Sequence, residues 1–440
     1  MEKHYDIGVY GWWGHANFGG CLTYFALEKV LEKMGYTVLM IQEVLGFPGR
    51  YKIPNDSIAM RFANKHYHCS PQVNVKELNE FNKLCDKFIV GGDQMWNYLI
   101  PFVKEDCFLN FVNSDKLKIS YSTSFGTTHH NPPESFLHSM APLLQKFDCI
   151  SVREDYGVEI AKKLYGVNAT QVIDAVFLLD KEDYIEASAD YTVNLPEEYL
   201  LAFILNPTAE KRTQIEIIAN KLGLQILCIP DAASAYHKSF FEIFEGLEIL
   251  SPLSLPNFIM AYANSKYVIT DSFHGTCMSY VFKKDFSVYF NEQRGADRFI
   301  SLMKILNLDM RRINETQTSA QLLENEKIAF NVDWSKADEN VKREKDFSWK
   351  WLKKALDTPV FPSMSDKITI VQHSQQSLKD EVINLHSRLN EQEKLIEQQE
   401  ELILKLVSLQ QTLATENTLS HRNMKSIWEE IERLRSARCE

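Results

Sequence analysis

The stretch Tyr267-Val268-Ile269-Thr270-Asp271-Ser272-Phe273-His274-Gly275-Thr276-Cys277-Met278-Ser279-Tyr280-Val281-Phe282 decides how the chain is read. An apolar run, a polar turn and a second apolar run predict a buried strand, a tight turn and a helix. Turns of this kind lie at the carboxyl ends of parallel strands, where open α/β sheets take their ligands. His274 falls at the start of the helix, held by a rigid element yet able to reach a cleft. It is the first candidate for chemistry, set against the alternative of a satisfied structural histidine.

Working outward, the same alternation fills the second half of the chain. Strands are expected at Leu200–Leu205, Leu224–Ile229 and Phe286–Val288, with helices over Ala209–Leu222 and Leu255–Ala263. After the last strand comes Asn291-Glu292-Gln293-Arg294-Gly295-Ala296-Asp297-Arg298-Phe299, leading into an amphipathic helix that ends at Leu306. On a parallel sheet Arg294 and Arg298 would lie near the His274 turn. Two arginines beside one histidine suit an anionic substrate, whereas a solvated loop and a helix-surface arginine are the plainer alternative.

The first half opens as a βαβ unit: strand Tyr5–Tyr10, the loop Gly11-Trp12-Trp13-Gly14-His15-Ala16-Asn17-Phe18-Gly19-Gly20, a helix stopped by Gly35, and strand Val38–Ile41. The loop is neither Gly-x-Gly-x-x-Gly nor a P-loop. It is either a tight turn or a helix N-terminus whose backbone N–H groups and Asn17 face a polar ligand. Residues 46–82, broken by Pro48, Pro54 and Pro71, read as a long excursion shaping a rim, with one short helix near Val75–Leu84. Strand Phe88–Val90 ends in Gly91-Gly92-Asp93-Gln94-Met95-Trp96-Asn97, and strand Ile119–Ser122 ends in Thr123-Ser124-Phe125-Gly126. Helix Pro133–Phe147, strand Cys149–Val152 and helix Tyr156–Leu164 follow, and Val172–Leu179 closes the domain. Polar or glycine clusters at successive strand ends suggest a binding face. Arg153 could grip a carboxylate or phosphate bidentately; its alternative is a structural pair with Glu154 or Asp155.

The expected architecture is α/β, with two Rossmann-like domains facing a cleft in a GT-B-like arrangement. An N-terminal domain over 1–185, a C-terminal domain over 196–325 and a terminal helix over 326–358 packing back on the body are followed by a linker, 359–377. From Leu378 the pattern changes to heptads. Val382, Leu389, Ile396, Ile403, Gln410, Asn417, Met424 and Ile431 take a; Leu378, Leu385, Gln392, Gln399, Leu406, Leu413, Ser420, Ile427 and Leu434 take d. Twelve of these seventeen are apolar, which predicts a coiled coil over 378–438. Asn417 at an a position favours a parallel dimer, and the mixed Glu, Lys and Gln of the polar face argue against a membrane-lying helix.

A net charge of −11 carries no nucleic-acid footprint, though a local basic pocket could still take a phosphorylated ligand. Eight scattered cysteines without Cys-x-x-Cys imply a reducing compartment. His66-Tyr67-His68-Cys69 lacks a second ligand group at suitable spacing, so no metal is expected. The N-terminus shows no secretory signal, and no run is long enough to span a membrane. A cytoplasmic protein is expected, with peripheral contact at the inner face of the membrane left open.

The motifs together carry a resemblance over residues 5–310. Asn17-Phe18-Gly19-Gly20-Cys21-Leu22-Thr23-Tyr24-Phe25-Ala26-Leu27, Phe88-Ile89-Val90-Gly91-Gly92-Asp93-Gln94-Met95-Trp96-Asn97, Ser120-Tyr121-Ser122-Thr123-Ser124-Phe125-Gly126, Val152-Arg153-Glu154-Asp155, Asp271-Ser272-Phe273-His274-Gly275-Thr276 and Arg294-Gly295-Ala296-Asp297-Arg298-Phe299 occur in an order and spacing that resemble the polysaccharide pyruvyl transferase family. Many relatives show Ser where Gly92 stands.

The resemblance implies a GT-B-like fold and transfer of the enolpyruvyl unit of phosphoenolpyruvate to two hydroxyls of a sugar, giving a cyclic pyruvate ketal. The acceptor would be a cell-surface polymer, such as an exopolysaccharide or capsule, or its lipid-linked precursor. Phosphoenolpyruvate is then a co-substrate, and neither cofactor nor metal is implied. His274 is implied as the proton-transfer group, a task that suits an imidazole near neutrality. Arg153 and Arg294 resemble donor-binding positions, with Ser272, Gly275 and Arg298 beside them. Asn17, Gly19, Asp93, Gln94, Asn97 and Ser124 are the acceptor and cleft candidates. Two other functions stand beside this one: a GT-B glycosyltransferase using a nucleotide sugar, and a non-catalytic coiled-coil scaffold. Acceptor specificity is expected in residues 46–82 and 230–250, where no motif is readable.

Overall fold

A computed structural model of the protein describes residues 4–15, 17–231, 237–291, 295–360 and 364–436. Arg294 lies outside the described residues, and so do the side chains of Leu413, Asn417, Ser420 and Leu434 in the heptad register. The chain forms two compact units, Met1–Pro362 and Ser363–Glu440.

The first unit contains two six-stranded sheets, each followed here with its helices in chain order. The first has β1 (Tyr5–Tyr10), α1 (Phe18–Lys33), β2 (Val38–Ile41), α2 (Ile58–His66), β3 (Cys85–Gly91), β4 (Leu117–Thr123), α3 (Glu134–Leu144), β5 (Cys149–Val152), α4 (Asp155–Tyr165), β6 (Thr170–Gln171) and α5 (Lys181–Glu186). The second has β7 (Tyr199–Phe203), α6 (Ala209–Leu222), β8 (Gln225–Ile229), α7 (His237–Ile243), β9 (Glu248–Ile249), α8 (Leu255–Asn264), β10 (Tyr267–Thr270), α9 (Phe273–Val281), β11 (Asp285–Tyr289), α10 (Asp297–Leu306), β12 (Arg312–Ile313), α11 (Ser319–Glu324) and α12 (Ser335–Leu356).

All recorded strand pairings are parallel. Helices therefore cover both faces, which is why β4 and β10 are buried along their whole length. Sheet order is β2-β1-β3-β4-β5-β6 in the first and β9-β8-β7-β10-β11-β12 in the second. Each order reverses once, between β1 and β3 and between β7 and β10. At such a reversal neighbouring strands send their connections to opposite faces, which opens a crevice at their carboxyl ends.

Local chemistry places the elements. Asn17 caps α1 by accepting from the Gly20 N–H, and Ser272 caps α9 by accepting from the Gly275 N–H at 3.1 Å. Gly166 and Gly223 end α4 and α6 in the left-handed conformation. The halves share an apolar core: the Phe18 ring stacks on Phe258 at 4.7 Å and meets Phe203 edge-on.

Three local expectations changed. Residues 46–82 carry the nine-residue α2, and the short helix expected near Val75–Leu84 is a 3-10 helix, Val75–Lys83. The run Val172–Leu179 forms no strand beyond Gln171. It turns into a short 3-10 helix, Ala175–Phe177, because the Asp174 carboxylate accepts from the Val176 N–H.

Helix α12 spans both halves. Its start lies against the second sheet, where Trp334 stacks on Phe286 and Asn340 donates to the Ile305 carbonyl. Its end lies on the first, where the Ser348 hydroxyl accepts from the Ile173 N–H and Trp351 meets Tyr121.

The second unit is one helix, α13 (Met364–Ser436), starting fourteen residues before the first heptad position. Its described a and d leucines, isoleucines and valine are exposed within the single chain. Among the described residues no helix is long and apolar enough to cross a membrane.

Candidate functional site

The carboxyl ends of the two sheets enclose a cleft of about 650 Å³. Trp12, His15, Asn17, Asp93, Gln94 and Asn97 line it from the first half, and Leu205, Ser272, Phe273, His274, Gly295 and Arg298 from the second. These are the strand ends at the two order reversals, plus the loop after β11.

His274 is buried, 6% exposed, in the first turn of α9. Two close approaches seat it. A Cβ on Gly275 would stand 2.9 Å from the Tyr262 hydroxyl oxygen, so only glycine lets the turn settle on β10. A Cβ on Gly19 would stand 2.9 Å from His274 Cγ and nearer still to Nδ1; the bare α1 backbone is the floor beneath the imidazole. Nε2 lies 2.8 Å from the Thr23 hydroxyl and 3.5 Å from Asp174 Oδ2. The Thr23 hydroxyl is directed to Asp174 Oδ1 at 3.4 Å. A hydroxyl donating to a carboxylate keeps its lone pairs for an incoming N–H. The network therefore places a proton on Nε2 whether the ring is neutral or charged. Nδ1 has no hydrogen-bond partner among the described residues and carries the lone pair of the neutral ring.

Burial pushes the Asp174 carboxyl up. The hydrogen bond and charge of His274, the charge of Arg153 and the Val176 N–H outweigh it and hold the group at about 2. Asp174 is thus a permanent anion behind the imidazole, and any imidazolium that forms has its counter-charge in place.

Arg153 is engaged in this support through Nε and Nη1, while its buried Nη2 makes no hydrogen bond to the described residues and lies 3.9 Å from Asp93 Oδ1. Nε donates to Glu154 at 2.7 Å, and Nη1 donates to the Gly92 carbonyl at 3.1 Å and to Asp174 at 3.0 Å. Its guanidinium lies 4.5 Å from the centre of the Phe273 ring. Phe273 lines the cleft, and Arg153 lines a small cavity behind it with Glu154 and Asp174. The structure does not bring Arg153 to the cleft wall; its pairing with Glu154 is what the geometry displays. Arg298 does reach the wall, on the same ring at 5.6 Å. Burial and the neighbouring charge of Arg153 push its guanidinium below the ordinary arginine value.

Of the remaining candidates, Asn17, Ser272, Asp93, Gln94 and Asn97 line the cleft, and Gly19 forms the floor under His274. Ser124 and Gly275 are framework: the Ser124 hydroxyl donates to Glu154 at 2.8 Å, and Gly275 packs on β10. Sequence reasoning missed Thr23 and Asp174. Asp174 had a signal, as the one carboxylate in the apolar run Val172–Leu179. It also missed a wall of Trp12, Tyr51 and Phe102 with His15 and its partner Glu43: Trp12 and His15 come from the opening loop, Glu43 from the segment after β2, Tyr51 from the 46–82 excursion and Phe102 from the segment after β3. Among the described residues no group of three or more His, Cys, Asp or Glu is placed to hold a metal.

Comparison with known proteins gives the following. No curated protein matches the sequence. Of solved structures, UDP-GlcNAc 2-epimerase from Methanocaldococcus jannaschii is similar at 14% identity, covering 79% of this chain and 99% of its own, with a TM-score of 0.48. UDP-GlcNAc 2-epimerase from Neisseria meningitidis is 10% identical over 79% of this chain and 99% of its own, with a TM-score of 0.45. The wall teichoic acid polymerase TagF is 10% identical over 80% of this chain and 90% of its own, with a TM-score of 0.40. The sequence model of the family described as polysaccharide pyruvyl transferase matches residues 17–288. That match runs from the cap of α1 into β11 and takes in Thr23, Asp174 and His274, and the chain belongs to the polysaccharide pyruvyl transferase family.

Proposed function

We propose that the protein transfers the enolpyruvyl unit of phosphoenolpyruvate to two hydroxyls of one sugar in a surface polysaccharide or its lipid-linked precursor, closing a pyruvate ketal. The observation that carries this reading is His274 on the cleft wall, backed by buried Thr23 and Asp174, with Arg298 on the same wall. The chemistry breaks the C2–O bond to phosphate and forms two C2–O bonds to the sugar. The two hydroxyls release two protons; C3 gains one and the departing phosphate takes the other. His274 has a nitrogen free to hold a proton in the cleft, and a buried anion to stabilise it once charged. Arg298 suits the carboxylate or phosphate of the donor. Within this reading α13 pairs with a second copy of the chain through its heptad seam, and the protein works in the cytoplasm near the inner membrane face.

The test is phosphate release from phosphoenolpyruvate against lipid-linked galactose, glucose and mannose derivatives. Release with at least one acceptor, abolished in His274→Ala, is the expected result. Turnover with a nucleotide sugar alone would replace the reading with glycosyl transfer.

A further inference from the structure

The reaction proposed above strips protons from hydroxyls on the acceptor side, while His274 and its anion stand on the donor side. The first half of the cleft holds a second imidazole–carboxylate pair that the His274 network does not use. His15 lines the cleft, and its Nε2 lies 2.7 Å from Glu43 Oε2. Glu43 is buried, with a side chain 2% exposed. Its other oxygen is 3.1 Å from Arg50 Nε. Arg50 in turn donates through Nη2 to Asp106 Oδ1 at 3.0 Å, with no exposed side-chain surface. Two carboxylates thus share one guanidinium, and the surplus negative charge faces His15.

A carboxylate only accepts, so the Nε2 proton of His15 points at Glu43 and its Nδ1 keeps a lone pair. Nδ1 makes no hydrogen bond to the described residues. The backbone is fixed as well: the His15 carbonyl accepts from Cys21 Sγ at 3.3 Å, tying the loop to α1. Beside the imidazole stands an aromatic wall. Tyr51 meets His15 edge-on at 6.4 Å and is 65% exposed, and Phe102 meets Trp12 edge-on at 6.0 Å. Exposed aromatic faces in a cleft suit the C–H face of a pyranose, which is apolar on one side and ringed with hydroxyls on the other.

We infer that His15 is the acceptor-side base, held by Glu43 as its positioning residue, and that Trp12, Tyr51 and Phe102 form the platform for the acceptor sugar. As the C2=C3 π pair takes a proton at C3, His15 Nδ1 takes the proton of the attacking hydroxyl and its oxygen bonds to C2 of the enolpyruvyl unit; the proton that C3 gains comes from the other hydroxyl by way of His274. That second oxygen then bonds to C2 as the C2–O bond to phosphate breaks, and the His15 imidazolium gives its proton to the departing phosphate. The inference rests on the pyruvyl-transfer reading, and the experiment separates the two.

The full chain is assayed with phosphoenolpyruvate and a panel of methyl galactosides, glucosides and mannosides, and binding of the same glycosides is followed by calorimetry. His15→Gln keeps a donor for Glu43 but cannot carry a proton. It is expected to lower kcat about 100-fold or more, in the range of a lost general base, with glycoside affinity and melting temperature held. Glu43→Gln is expected to lower kcat about tenfold with an unchanged KM for phosphoenolpyruvate. Tyr51→Ala is expected to weaken glycoside binding about tenfold with little change in the KM for the donor. A His15→Gln variant within threefold of the parent kcat overturns the inference. If the parent consumes no phosphoenolpyruvate with any glycoside or with the lipid-linked derivatives, pyruvyl transfer fails. Glycoside binding then decides the subsite: retained by the parent and weakened in Tyr51→Ala, the platform stands; unaffected by Tyr51→Ala, it falls.

Discussion

Gly19→Ala offers a sharp test of how His274 is held. In an ordinary helix this change stabilises by roughly 1 kcal/mol, since alanine restricts the unfolded chain and buries no polar group. Gly19 lies in the first turn of α1, directly under the imidazole. An added Cβ would stand 2.9 Å from His274 Cγ, closer to Nδ1, and 3.1 Å from Asn17 Oδ1, whereas ordinary contact begins at 3.4 Å. The ring must retreat by about 1 Å, and a misplacement of that size costs about 100-fold in rate. It cannot retreat toward Asp174 without losing the 2.8 Å contact of Nε2 with Thr23. The expected variant folds, melts within a few degrees of the parent, and releases phosphate from phosphoenolpyruvate about 100-fold more slowly. Melting and steady-state phosphate release on the same preparation read both quantities. A variant that melts normally and turns over at the parent rate would refute the placement of His274 over the α1 backbone.

Three further outcomes follow from other parts of the molecule. Asp174→Asn removes a counter-charge of both Arg153 and His274 in a fully buried site, so it should cost about 3 kcal/mol in urea denaturation; a loss below about 1 kcal/mol would mean that Glu154 alone satisfies Arg153. Burial among Tyr98, Phe125 and Tyr165 lowers His130 to about 4, from 6.5, so the unfolded chain takes up the proton first and stability falls as pH drops from 6.5 towards 4. Between pH 7 and 5 this removes about 2 kcal/mol; His130→Gln should flatten that slope in urea melts, and equal slopes would reject the assignment. Truncation at Pro362 should reduce the mass by light scattering to that of one body with an unchanged melting temperature, because the described a and d apolar side chains of α13 lie exposed in the single chain; an unchanged oligomeric state would reject pairing through the tail.

Much of this fold was legible because buried parallel strands and capped helices write themselves locally. Strand Cys149–Val152 and helix Ala209–Leu222 fall where apolar runs, caps and glycine stops put them. His274 was readable for the same reason, since a strand, a Ser cap and a helix fix its place within a few residues. Its partners were not. Thr23, Asp174 and His274 meet only through tertiary packing, across a separation of 251 positions from the first to the last. Arg153 shows the limit from the other side. Its position at a strand end was correct, but whether its guanidinium faced a ligand or two buried carboxylates depended on Phe273 standing between it and the cleft. His15 lay in a loop noted for its glycines, and nothing local announced that Glu43, from the segment after β2, would stand behind it.

Helix α12 sets an order of events during synthesis. The first sheet's strands have all been synthesised by residue 171, yet Ile173 waits for Ser348 and Tyr121 for Trp351 before their surroundings are complete. At bacterial-to-eukaryotic elongation rates of about 5–20 residues per second, that is an interval of about 10–35 seconds with the seat of α12 uncovered. The two halves are therefore not modules that could be exchanged as contiguous gene segments. A recombined chain that kept the first sheet but took the second from elsewhere would lose the helix that seals the first, and any viable shuffling must carry residues 335–358 along with the N-terminal half.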